Sequence, residues 1–117
     1  MALFASLRKI REFERQQLPF LRSVIDFDIV IEIGYAEEQR QPLTPKRLFL
    51  LKVGSPTTVR RRLANLEEQG VIARRTNADD RRSAFLATTP RTLKLLGNYG
   101  RTLGKYGKAL TAIAGSR

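Results

Sequence analysis

Arg60, Arg61 and Arg62 follow Thr57 and Thr58 directly after a Ser55-Pro56 step, and these residue types suit a polyanion. The chemistry they can do is recognition: arginine can pair through two N–H groups with guanine, and threonine can meet a base edge, a thymine methyl or a phosphate. A second group, Arg74, Arg75, Arg81 and Arg82, brackets Asn77-Ala78-Asp79-Asp80. Guanidinium groups at the tip and base of such a turn are attracted to a narrow minor groove. Each group has a plainer reading. The first can be a solvated basic face. The second can be a cross-strand ion-pair cluster in which Asp79 and Asp80 fix the turn. The two readings of the hairpin are compatible, with Asp80 orienting Arg82 while Arg81 faces outward.

Other chemistry is scarce. The chain has no cysteine and no histidine, which excludes disulfides and thiolate metal sites and removes the commonest metal ligand and general base. Paired carboxylates occur at Glu12 with Glu14, Asp26 with Asp28, Glu37 with Glu38, Glu67 with Glu68, and Asp79 with Asp80. Most lie in charge-mixed sequence, where a solvated face is the favoured reading, since nothing there predicts burial that would tune a catalytic pKa. No enzyme and no cofactor is expected. The net charge of +11 favours nucleic acid, an anionic membrane surface or an acidic protein as partner, with nucleic acid first.

The elements that must position these residues follow from periodicity. Leu3, Phe4, Leu7, Ile10 and Phe13 form one apolar stripe on a helix over residues 3–17, which Pro19 interrupts. From Phe20 to Gln39 the apolar residues fit both helical spacing and alternation. The length favours one buried helix. Thr44-Pro45 and Ser55-Pro56 repeat an N-cap and first-turn signal eleven positions apart, so a short helix through Lys52 and a second through Gln69 flank a tight Val53-Gly54-Ser55 turn. This is a helix-turn-helix. Val59, Leu63 and Leu66 make the buried stripe of its second helix, with Thr57, Arg61, Ala64 and Glu68 opposite. Gly70 suits a left-handed cap, and residues 71–75 and 83–87 read as two strands of a hairpin. In a helix-turn-helix the second helix enters the major groove.

The text SPTTVRRRLANLEEQGVIARRTNADDRRSAFLATTP carries the start Ser-Pro-x-Thr-Val, the exit Leu-Glu-x-x-Gly-Val-Ile and the turn Asp80-Arg81-Arg82 before a strand and a threonine. Over about residues 42 to 90 it resembles the MarR-like winged helix-turn-helix transcriptional regulators. The resemblance implies a dimeric regulator of transcription, a recognition helix using Thr57, Thr58 and Arg61, and a wing using Arg81 and Arg82. The family has two helices after the wing. A single helix is expected after the wing here, so a small-molecule effector is compatible with the family but unsupported by these residues.

Thr89-Pro90 starts that last helix, in which Leu96, Tyr99, Leu103, Tyr106, Leu110 and Ile113 form a heptad-like seam. Beside it run Gly97, Gly100, Gly104 and Gly107, each costing about 1 kcal/mol of helix propensity relative to alanine. The seam is expected to pack against the first helix, within the chain or from a second subunit. The expected homodimer contact is Leu3, Leu7, Ile10, Leu96, Tyr99, Leu103, Tyr106 and Leu110; an intramolecular core is the alternative.

The expected architecture is mostly helical with a two-stranded β-hairpin wing, a winged helix-turn-helix flanked by N- and C-terminal dimerisation helices. It forms a single domain over 1–117, with N-terminal helices at 1–39, the helix-turn-helix and wing at 42–88 and the C-terminal helix at 89–114. The expected partner is double-stranded DNA, contacted by Ser55, Thr57, Thr58, Arg60, Arg61, Arg74, Arg81 and Arg82. Charges in MALFASLRKIREFERQQ and the lack of an eighteen-residue apolar run point to a cytoplasmic protein with no membrane partner. A nucleoid-type binder without sequence choice, or a winged-helix protein-interaction module, is the alternative.

Overall fold

The computed structural model describes residues 2–76 and 84–115, with the backbone alone for 109–115. The chain runs α1 (Leu3–Gln17), α2 (Val24–Glu38), α3 (Pro45–Leu50), α4 (Pro56–Glu68), β1 (Ile72–Thr76), β2 (Ala84–Thr88) and α5 (Pro90–Gly115). It divides into two compact units, one of residues 20–92 and one of residues 1–19 with 93–117. The mostly helical class with a two-stranded antiparallel hairpin is therefore as expected.

In the unit of residues 20–92, α2 begins four residues later than its apolar spacing suggests. The reason is local: Ser23 and Asp26 form a capping box, in which the Ser23 hydroxyl accepts the Asp26 N–H at 3.2 Å and the Asp26 carboxylate accepts the Ser23 N–H at 3.1 Å. Helix α2 spreads its apolar residues around its circumference among acidic ones, and it buries Ile29, Val30, Ile33 and Ala36 together with Asp26. Thr44 caps α3 by accepting the Arg47 N–H at 3.2 Å, with Pro45 at the first helical position.

In the turn into α4 the left-handed residue is Lys52, with φ of 56°. Space is tight at Gly54: a Cβ there would lie 3.1 Å from Ile25 Cδ1 and 3.4 Å from Val59 Cγ2, so a larger residue requires the Ile25 side chain to shift. At the far end of α4, Gly70 takes φ of 73°. Its N–H donates to Glu67 O at 3.1 Å and the Val71 N–H to Leu66 O at 2.9 Å, the paired closure of a Schellman cap.

Val59, Leu63 and Leu66 of α4 join Leu48, Val71, Ile72 and Leu86 in the core with the buried side of α2. Burying each leucine contributes about 1.5–3 kcal/mol. Strands β1 and β2 pair from Ile72 opposite Thr88 to Thr76 opposite Ala84, one residue later than expected for both strands. The root of the hairpin is tied down. The Leu86 N–H donates to Leu43 O at 2.8 Å, while the Thr88 N–H and hydroxyl both donate to Glu37 Oε1, at 2.8 and 2.7 Å. Helix α5 starts at Pro90 as expected. The Thr89 hydroxyl accepts the Thr92 N–H at 3.4 Å and donates to Gly70 O at 2.8 Å, and the buried Thr92 hydroxyl donates to Val71 O at 2.9 Å.

In the other unit, α1 meets α5 through aromatic and polar contacts. Phe13 and Tyr99 stack with ring centroids 5.8 Å apart. The Tyr99 hydroxyl donates to Glu14 Oε2, and Arg11 donates to Glu14 Oε1 at 2.8 Å. Burial, the Glu14 hydrogen bond and the Glu14 charge push the Tyr99 phenol up to about 12. No helix among the described residues is long and apolar enough to cross a membrane.

Candidate nucleic-acid interface

Helix α4 presents the candidate residues from a capped N-terminus. The Ser55 hydroxyl accepts the Thr58 N–H at 3.3 Å and donates to Thr58 Oγ1 at 2.9 Å, so these two hydroxyls engage each other. Thr57, Arg60, Arg61, Ala64 and Glu68 are exposed and Thr58 is half-buried, the face opposite Val59, Leu63 and Leu66. The first amides of a helix and its dipole favour an anion, so this end suits a phosphate.

The three consecutive arginines have different surroundings. Arg60 lies over the Phe49 ring of α3, 5.3 Å from its centroid. Arg61 is exposed. Arg62 points inward, and its Nε and Nη2 donate to Asp26 Oδ1 and Oδ2, both at 2.6 Å. Asp26 is 0% exposed and Arg62 18%.

The reading of Asp26 with Asp28 as a solvated pair is thus corrected at Asp26, because the guanidinium and the backbone N–H groups of Arg22 and Ser23 compensate its burial. Burial pushes the Asp26 carboxyl up, but the Arg62 hydrogen bonds, the Arg22 N–H, the Arg62 charge and Ser23 outweigh it and hold the group below its ordinary value. Glu37 is likewise no solvated pair member, since it holds Thr88.

Arg74 on β1 is exposed and donates from Nε to both oxygens of Glu67, at 2.9 and 3.0 Å. The turn at 77–80 and the candidates Arg81 and Arg82 lie outside the described residues, as does the side chain of Leu110. Sequence reading missed Asp26 and Phe49. A Ser-x-x-Asp box was legible at Ser23 to Asp26; no local signal marks Phe49 as the support of Arg60.

Among the candidate assembly residues, Leu3, Leu7 and Leu103 are 41%, 40% and 39% exposed, unlike the sealed leucines of the core. Ile10, Leu96, Tyr99 and Tyr106 are half-buried. Among the described residues, no heavy atom outside its own helix lies within 4 Å of where a Cβ would stand on Gly97, Gly100 or Gly104.

This arrangement of helix-turn-helix, hairpin and flanking helices is the MarR-type winged-helix fold. The chain is similar to MepR of S. aureus in a MepR–DNA complex, at 22% identity and a TM-score of 0.70 over 90% of this chain and 77% of that chain. It is similar to the transcriptional regulator Tm0710 from Thermotoga maritima, at 25% identity and a TM-score of 0.63 over 91% of this chain and 75% of that chain. Against MarR the identity is 23% and the TM-score 0.58, over 91% of this chain and 75% of that chain. No family model and no curated protein matches the chain.

Proposed function

We propose that this protein is a sequence-specific double-stranded-DNA-binding transcription regulator that acts as a homodimer and catalyses no reaction. The observation that carries the reading is the outward face of α4, where Thr57, Arg60 and Arg61 stand exposed beside a capped helix start. A chain of net charge +11 supplies the affinity by neutralising phosphates, and the α4 face and the hairpin supply selectivity. Ser55, Thr58, Arg74, Arg81 and Arg82 complete the proposed DNA-contacting set. That a similar MepR structure is a DNA complex supports the same reading. The half-exposed Leu3, Leu7 and Leu103 support the two-fold partner that a palindromic site requires.

The test is selection from a pool of random duplexes at two salt concentrations, followed by sequencing. An enriched palindrome establishes a selective dimer and gives its half-site spacing. The net charge also suits a second reading, a nucleoid-type binder without sequence choice, and unselective binding that vanishes at the higher salt would establish it instead.

A further inference from the structure

We infer that Asp26 and Arg62 form a positioning pair that sets the rotation of α4 about its own axis, and thereby the direction in which Thr57 and Arg61 point. The inference rests on the proposed reading of α4 as the DNA-facing helix.

Apart from this pair, the more exposed Glu67–Arg74 pair and the Arg60–Phe49 stack, α4 is held on its inner side by Val59, Leu63 and Leu66, and apolar contact has no preferred direction. A helix on such a stripe can roll. With a radius to the side-chain tips of about 5–6 Å, a roll of about 20° carries an outward tip by about 2 Å, enough to lose a two-point hydrogen bond to a base. The guanidinium–carboxylate fork is directional, since both nitrogens must meet both oxygens in one plane.

The anchor is itself fixed. Asp26 stands in the first turn of α2, and its Oδ2 accepts the Arg22 and Ser23 N–H groups at 2.9 and 3.1 Å as well as Arg62. On the other flank of Arg61, the stack of Arg60 on Phe49 ties α4 to α3. Arg61 therefore sits between two held neighbours.

Arg62→Lys tests this, because lysine keeps the charge but offers a point contact in place of the fork. Asp26→Asn, which keeps the shape and a capping oxygen, is the second variant. The chain has no cysteine, so Ile31→Cys on α2 and Ala64→Cys on α4, both exposed positions, take a pair of spin labels directly. The expected result is a broadened or shifted distance distribution in either variant. The preference for the selected duplex over a random one is also expected to fall at least about fivefold, with random-duplex affinity held within about twofold.

An unchanged distance distribution overturns the inference. So does equal loss on both duplexes with a shallower salt dependence, which would make Arg62 a phosphate contact. A wild-type chain without duplex preference removes the proposed function and the recognition half of the inference, whereas the label distances decide the positioning half separately.

Discussion

Arg62 and Asp26, 36 positions apart in the sequence, close on each other through two parallel 2.6 Å hydrogen bonds, joining the middle of α4 to the first turn of α2. The carboxylate is fully buried and also completes a helix cap. Its removal leaves a partly buried guanidinium unpaired and two backbone N–H groups without their acceptor.

Asp26→Ala is therefore expected to destabilise the fold by about 3–5 kcal/mol, whereas Glu67→Ala, which breaks the more exposed pair with Arg74, should cost under about 1 kcal/mol. Urea unfolding of the two variants side by side measures the difference. Equal losses would mean that burial of the Asp26 pair has no energetic weight.

Acid should act through the same group. The folded carboxyl titrates below its ordinary value of 3.8, so its contribution is complete above that value and is lost as pH falls through the folded pKa. The stability gap between wild type and Asp26→Asn is expected to be flat from about pH 7 to about pH 5 and to shrink below about pH 4. A gap independent of pH would show that the ionised form contributes nothing.

At the other end of the scale, the Tyr99 phenol is raised from 10.0 to about 12 by burial and by Glu14. A raised acid favours the fold below its unfolded pKa, and that contribution is lost as pH rises from 10.0 through about 12. Ultraviolet titration should show a phenolate component near pH 12 that Tyr99→Phe deletes. Retention of that component in the variant would assign it elsewhere.

Two substitutions at left-handed positions should have opposite signs. Gly70→Ala puts a Cβ at φ of 73° and is expected to cost about 1–2 kcal/mol. Lys52→Gly relieves the same penalty at φ of 56° and should raise stability by about 1 kcal/mol. Thermal melts of both variants decide, and destabilisation by Lys52→Gly would mean that the lysine side chain holds the turn.

Arg61→Ala is expected to weaken binding to a selected duplex by about 1–3 kcal/mol and to relax base preference at one position of each half-site. Competition binding against random duplex makes the measurement. Equal loss on both would place Arg61 on a phosphate.

The elements with local signals were legible in the sequence. Thr44-Pro45, Ser55-Pro56, Gly70 and Thr89-Pro90 each mark a helix end by the chemistry of one or two adjacent residues, and the ends fall within two residues of where those signals put them. The stripe of Val59, Leu63 and Leu66 follows from helical period alone. The start of α2 was harder, because Phe20 and Val24 keep the spacing of the helix that Ser23 delays. The partner of Arg62 was out of reach. Helical period puts Arg62 beside the buried stripe and Arg61 opposite it, but only the fold brings in the carboxylate that Arg62 meets.

The tethering of β2 at Leu86 and Thr88 has a consequence for behaviour in concentrated solution. A two-stranded hairpin has two open edges, and an open edge is a template on which a strand from another molecule can grow a sheet. On the outer side of β2, the Leu86 and Thr88 amides are already taken by Leu43 O and Glu37 Oε1. Two alternate rungs of that ladder are closed, so the bonds that steady the hairpin root also guard this edge against aggregation.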